Sequence, residues 1–261
     1  MKKESLFKEL ISDFQNNHKL VKDEYKYIGT GNPLSDILII GKEAAISKVD
    51  EQYRWEIEKN IKSWIELDIY SQNKIESRGK TYNPLYPYKG QILKKDNQNG
   101  NWGTSPTWIN YQKLYNYIFN TPENTTINFH ENIFLTEVNS TPSKKTGNAD
   151  IQSIEFRKEK FLTSKYIQSF PVVIISGVGY FNIYNSKNEI EKIFNVKFTE
   201  KRNAGGNLKQ PYWLHWNNDK TKLIINTYQL SINISDNLLK EIAFEIEKSK
   251  LVKQWPTPNN G

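Results

Sequence analysis

The chain has 261 residues, 37% of them hydrophobic, with 15 Tyr, 12 Phe and 7 Trp, which suffices for one large domain around a substantial core. A formal net charge of +7 favours a polyanionic partner, and the absence of cysteine excludes disulfides, thiolate metal sites, iron–sulfur clusters and a cysteine nucleophile. No apolar run reaches membrane-spanning length and the start, MKKESLFKEL, lacks the apolar stretch of a signal peptide, so the expectation is a cytoplasmic protein without membrane contact.

Leu6, Phe7, Leu10, Ile11 and Phe14 recur at helical spacing and predict an amphipathic helix over 4–18. Residues 27–34, YIGTGNPL, read as a loop leading into ILII, an Ile-rich run typical of a strand buried on both faces. Gly41 closes that strand and lets the backbone turn and approach a ligand. Tyr53, Ile57, Ile61, Trp64 and Ile65 predict a helix over 49–67. Residues 68–105 are polar and aperiodic, with Tyr82, Tyr86, Tyr88 and Trp102 among their glycines and prolines; a long insert of this kind is functional or disordered, and its aromatics argue against simple disorder.

Thr104 or Ser105 caps the next helix, which has Pro106 in its first turn and runs to about 119. NIFLTE (132–137) is a second buried strand, followed by a polar loop over 138–149 with Lys144 and Lys145 and by a helix over 150–168. PVVIIS (171–176) is a third strand, and two alternating segments around a basic Gly-containing loop read as a hairpin at about 194–217. LIINT (223–227) is a fourth strand; Ser235 caps a final helix to about 250, and a Pro/Asn-rich tail follows. Strands alternating with helices predict a single α/β domain over 1–261: a three-layer α/β/α arrangement with a central four-stranded, mainly parallel sheet, plus a β-hairpin insertion.

Ligands of such sheets bind outside the carboxyl ends of the strands. The polar loops at 41–45, 136–139, 177–179 and 227–231 converge there. GKEAA (41–45), GTSPTW (103–108), FLTEVN (134–139), VVIISGVGYF (172–181) and TYQLS (227–231), in this strand context, resemble motifs of the uracil-DNA glycosylase superfamily. The resemblance spans roughly residues 27–243 and implies N-glycosidic hydrolysis of a base flipped from DNA, in repair or antiviral defence. It places Glu43 where the family positions its water, and the Ser105 loop where backbone phosphate is gripped. Gln229 stands where the family has a His that stabilises the base anion, and Leu230 where it has Pro. The base-reading Asn is replaced by Glu137, or by Thr136 if the register slips by one; Asn139, on the same strand face as Glu137, is the alternate reader.

The residue chemistry supports specific roles. A carboxylate at Glu43 stabilises an oxocarbenium-like sugar and orients water, while Gln229 offers an amide N–H but no positive charge. An ionised Glu137 accepts from an exocyclic amino group, which points to cytosine derivatives, including the bulky 5-modified ones of viral DNA. Trp102 is the candidate stacking residue, ahead of Tyr86 and Tyr88. Ser231, which ends the last motif, and Ile232, which follows it, are candidate DNA contacts, and an apolar wedge beside Asn233 would come from Ile232 or Ile234. Lys144, Lys145, Lys201, Arg202 and Lys209 are candidate phosphate contacts. His18, His130 and His215 have no metal-binding spacing, and neither a metal nor a cofactor is expected. The reading is a monomeric, monofunctional DNA glycosylase that leaves an abasic site. A non-catalytic nucleic-acid or nucleotide binding module on the same fold is the alternative, and a flavin- or nucleotide-binding doubly wound protein a third.

Overall fold

The apolar runs become strands because every one of their side chains has a buried face to fill. The computed structural model describes residues 2–16, 22–49, 53–67, 83–87, 105–123, 126–177, 179–183, 188–205, 210–231 and 233–253. Its strands are β1 (Thr30–Gly31), β2 (Ile37–Gly41), β3 (Ile133–Glu137), β4 (Val172–Ile175), β5 (Lys197–Ala204), β6 (Gln210–Trp216) and β7 (Leu223–Thr227), in one sheet of order β1-β3-β2-β4-β7-β6-β5. The central strands β3, β2, β4 and β7 are mutually parallel. The sheet therefore has seven strands among the described residues, not the four expected. The hairpin is no separate insertion: β6 pairs antiparallel with β7 and extends the sheet. At the other edge, β1 lies within the Gly/Asn/Pro segment read as a loop; Thr30 and Gly31 pair antiparallel with Leu135 and Phe134. Local propensity gave no sign of that strand, because β3 supplies the pairing.

The helices are α1 (Lys3–Asn16), α2 (Asn60–Glu66), α3 (Pro106–Phe119), α4 (Ser153–Phe156), α5 (Lys165–Gln168), α6 (Glu189–Phe194) and α7 (Asp236–Ser249). Ser105 caps α3 by accepting from Thr107 N at 3.2 Å, and Ser235 caps α7 by accepting from Leu238 N at 3.2 Å. The helices expected over 49–67 and 150–168 are each interrupted by a π-helical turn, Arg54–Glu58 and Arg157–Phe161. Such turns rotate the side chains that follow and recur at functional sites. Here one carries Glu56 and the other begins at Arg157.

Alternation along the strands divides the core in two. Leu38, Ile40, Phe134, Val173, Ile175 and Ile224 pack with Phe7, Phe14, Trp64 and Tyr166, whereas Ile37, Ile39, Ile133, Leu135, Ile174 and Ile225 pack with Leu114, Leu239 and Ile242. Of the long segment 68–105, residues 83–87 and 105 are described; Leu85 joins the first cluster and Pro84 O accepts from Gly31 N at 2.8 Å. No helix among the described residues is long and apolar enough to cross a membrane.

Candidate functional site

The site is built where β2 and β3 end together. Gly41 and Glu137 are register partners, and the pairing continues past the strands through Val138 N to Gly41 O (2.9 Å), Asn139 N to Lys42 O (2.8 Å) and Ser143 N to Ala44 O (3.0 Å). The loop bearing Glu43 is thus laid along the loop that follows Glu137. The Glu137 carboxyl folds back over Gly41 so closely that a Cβ there would sit 2.1 Å from its Oε2. Only glycine leaves room for this acid. Gly41→Ala is therefore expected to displace the Glu137 side chain at about 1–3 kcal/mol of stability, measurable by urea denaturation.

Glu43, Glu56, Glu137 and Gln229 line one cavity of about 150 Å³, with Trp108 and Tyr111 among its other walls. The space suits one small planar ring, well below the size of drug-sized pockets. Glu43 is 7% exposed and Glu56 5% exposed. Tyr180 donates its hydroxyl to Glu43 Oε2 at 2.5 Å, and Lys42 Nζ stands 5.2 Å from the centre of the Tyr180 ring. Glu137 Oε2 is enclosed and has no hydrogen-bond partner among the described residues. Burial, followed by the neighbouring Glu43 and Glu56 charges, pushes the Glu137 carboxyl up from 4.5 to about 8, with Arg157 opposing. Glu137 is thus mainly a neutral acid at pH 7, not the ionised carboxylate assumed from the sequence. Tyr27 and Tyr111, which line the cavity, and Tyr180, which contacts Glu43, are all held above the usual phenol range, each by burial first, so they are neutral hydroxyls.

Below the acids lies Arg157, fully buried. Its Nε donates to Glu137 O (2.9 Å), Nη1 to Tyr27 O (2.6 Å) and Tyr25 O (3.3 Å), and Nη2 to Thr136 Oγ1 (3.0 Å); Thr136 Oγ1 in turn donates to Ile28 O at 3.0 Å. The guanidinium lies 4.0 Å from the Phe161 ring centre. It ties the end of β3 to residues 25–28 and supplies a positive charge beneath the carboxyls. Arg157→Met is expected to lower stability by about 3–5 kcal/mol in urea melts, because four acceptors lose their donor at once.

No protein-family model, curated protein or solved structure matches the chain.

The structure brings together Glu43, Glu137, Gln229 and Ser105 from the sequence-predicted set. Asn139 does not join them: its amide donates to Asp150 O (3.0 Å) and accepts from Thr141 N (3.0 Å) and Ser153 Oγ (2.7 Å), which fixes the loop beneath. Ser231 sits near α3, its carbonyl accepting from Asn110 Nδ2 at 2.6 Å. Lys144 and Lys145 are exposed on the loop after β3. Arg202 is ion-paired with Glu200 (2.7 Å) and with Glu245, whereas Lys201 points to the opposite face of the hairpin toward Trp213. Trp102, Ile232, Tyr88 and Lys209 lie outside the described residues. Among those residues, no group of three His, Asp or Glu side chains is placed to hold a metal ion.

Four contributors escaped sequence reasoning. Glu56 shares the helical face of Tyr53, Ile57 and Trp64, so a lone acid at an apolar-phase position was the available signal. Trp108 stands in GTSPTW and Tyr180 in VVIISGVGYF, both quoted stretches, but neither had an assigned role. Trp108 stacks on Phe129 at 5.5 Å and 20° and takes the wall position expected of Trp102. Arg157, in the charged run RKEK, carried no signal.

Proposed function

We propose that the protein is a monofunctional DNA glycosylase that hydrolyses the N-glycosidic bond of a single flipped base and leaves an abasic site. The observation that carries this reading is the convergence of Glu43, Glu137 and Gln229 on one ring-sized cavity at the carboxyl ends of parallel strands. Glu43, oriented by the Tyr180 hydroxyl, aligns water against C1′ and stabilises the oxocarbenium-like sugar. Gln229 donates its amide N–H to the departing base. Trp108 offers the aromatic wall against which an extruded base rests. A three-layer α/β/α arrangement belongs to the same reading.

The charge state of Glu137 changes the substrate logic. A neutral carboxylic acid holds one donor beside one acceptor, as an amide does. Its proton sits on either oxygen, so it matches N3 with N4–H of a cytosine as well as N3–H with O4 of a uracil. Its hydroxyl also donates to the base as negative charge develops there, a task that an ionised carboxylate opposes. Non-standard pyrimidines, modified cytosines included, are therefore the favoured class.

The test is incubation with oligonucleotides that carry uracil, hypoxanthine or 5-modified cytosines, followed by alkaline cleavage of abasic sites. Strand cleavage at one of these bases is the expected result. Intact bases in every substrate, with retained DNA binding, would leave a binding module in place of an enzyme.

A further inference from the structure

A second, larger cavity lies away from the three carboxyls. It is a groove of about 460 Å³ over the outer part of the sheet, where β5, β6 and β7 face α6. This volume falls within the range of roughly 300–1,000 Å³ typical of small-molecule sites.

A bulge in β5 creates the groove's lining. Phe198 pairs with His215 and Glu200 with Leu214, so Thr199 is an extra residue. On a regular strand, positions 198 and 201 point to opposite faces. The extra residue turns Phe198 and Lys201 to the same side, beside their partners His215 and Trp213. Asn226, the register partner of Trp213 on β7, completes the row.

The lining is chemically specific. Asn226 is 3% exposed and brings a side-chain amide to the lining. The enclosed Nδ1 of His215 has no hydrogen-bond partner among the described residues. Leaving such a group unpaired is costly unless a ligand or water meets it. Phe198 is 47% exposed and meets the His215 ring edge-on at 5.7 Å, while Lys201 Nζ stands 5.6 Å from the Trp213 ring centre. Burial lowers the His215 pKa and keeps the imidazole uncharged, although Glu191 opposes this. Glu191 itself accepts from Phe198 N at 2.6 Å, which places the acid at the Phe198–His215 end and the Lys201 ammonium at the other.

An amide, a neutral imidazole, two accessible rings and one ammonium match a planar ring that has a hydrogen-bonding edge and carries an anion. We propose that this groove binds one nucleotide, with its ring against Phe198 and Trp213, its edge on Asn226 and its phosphate on Lys201. The inference does not depend on catalysis at the carboxyl-lined cavity. The same chemistry is offered by a free nucleotide or by one unit of a single strand, and the experiment separates the two.

Isothermal titration calorimetry of the full chain with thymidine 5′-monophosphate, thymidine, ribose 5-phosphate and an eight-residue oligothymidylate tests the assignment. Thymidine monophosphate is expected to bind, and Asn226→Leu and Lys201→Ala are each expected to weaken it at least tenfold. Lys201→Ala alters an exposed side chain and keeps the test decisive if Asn226→Leu lowers stability. Glu43→Gln, in the other cavity, leaves this binding unchanged. An oligonucleotide more than tenfold tighter than the monophosphate assigns the site to a strand; equal affinity assigns it to a free nucleotide. Absence of binding by either, indifference to both groove variants, ribose 5-phosphate binding as tightly as the monophosphate, or loss of binding in Glu43→Gln each overturns the proposal.

Discussion

Glu43→Gln is expected to slow base release by about a thousandfold while leaving the folded state intact, the usual scale for removing a charged group that both orients water and faces a developing cation. The Gln side chain keeps the shape and the contact with Tyr180, so the loss isolates the charge. Tyr180→Phe removes the hydroxyl that fixes the carboxylate and is expected to slow the reaction by a smaller factor, about tenfold. Single-turnover rates on an oligonucleotide carrying the base that the unaltered protein releases, read as alkali-labile strand breaks, measure both. An undiminished rate in Glu43→Gln would remove this residue from the chemistry, and equal losses in the two variants would make Tyr180 more than an orienting group.

The second large effect is a pH dependence set by Glu137. The groups facing it are Glu43 from the loop after β2, Glu56 from the first π-helical turn, Arg157 from the second, and Tyr27 and Tyr111. Its folded-state pKa is raised, from 4.5 to about 8. The stability it contributes is therefore complete below about pH 4.5, falls through the interval, and is gone above about pH 8. Within that window the slope approaches about 1.4 kcal/mol per pH unit. Glu137→Gln cannot ionise, so it is expected to flatten the slope and to be the more stable protein at pH 8. Urea denaturation at pH 5, 6.5 and 8 reads this directly. In the proposed reaction turnover follows the same group: above pH 8 an ionised Glu137 would repel the base anion, and the rate is expected to fall about tenfold per pH unit in the unaltered protein but not in Glu137→Gln. A Glu137→Gln protein with the same alkaline limb would assign that limb to another group.

The strands and their order along the chain were legible because a buried parallel strand is a run of Ile, Val and Leu with a turn at its end, and ILIIG, IFLTE, VVII and LIINT are all of this kind. The caps at Ser105 and Ser235 were legible for the same local reason. The hairpin was visible as two alternating segments, but its docking against β7 was not, since edge pairing depends on which strand arrives there. β1 and both π-helical turns were illegible: Thr30–Gly31 has no strand propensity, and a π turn differs from an α-helix by one residue of register. At the site, Glu43 and Glu137 followed from their positions at strand ends. Glu56 reaches the cavity only through a π turn, and Arg157 through contacts with segments about 20 and 130 residues away. The protonation state of Glu137 was beyond reach, because it is set by three acids that meet only in space.

The cavity draws its walls from Tyr27, Glu43, Glu56, Trp108, Glu137 and Gln229, so its parts are strewn over most of the polypeptide. Closing loops of that length before any reward arrives slows folding, and chains with such remote pairings reach their native state in milliseconds to seconds, not microseconds. A ribosome-bound chain would carry no complete pocket until β7 and the turn after it, which brings Gln229, had emerged.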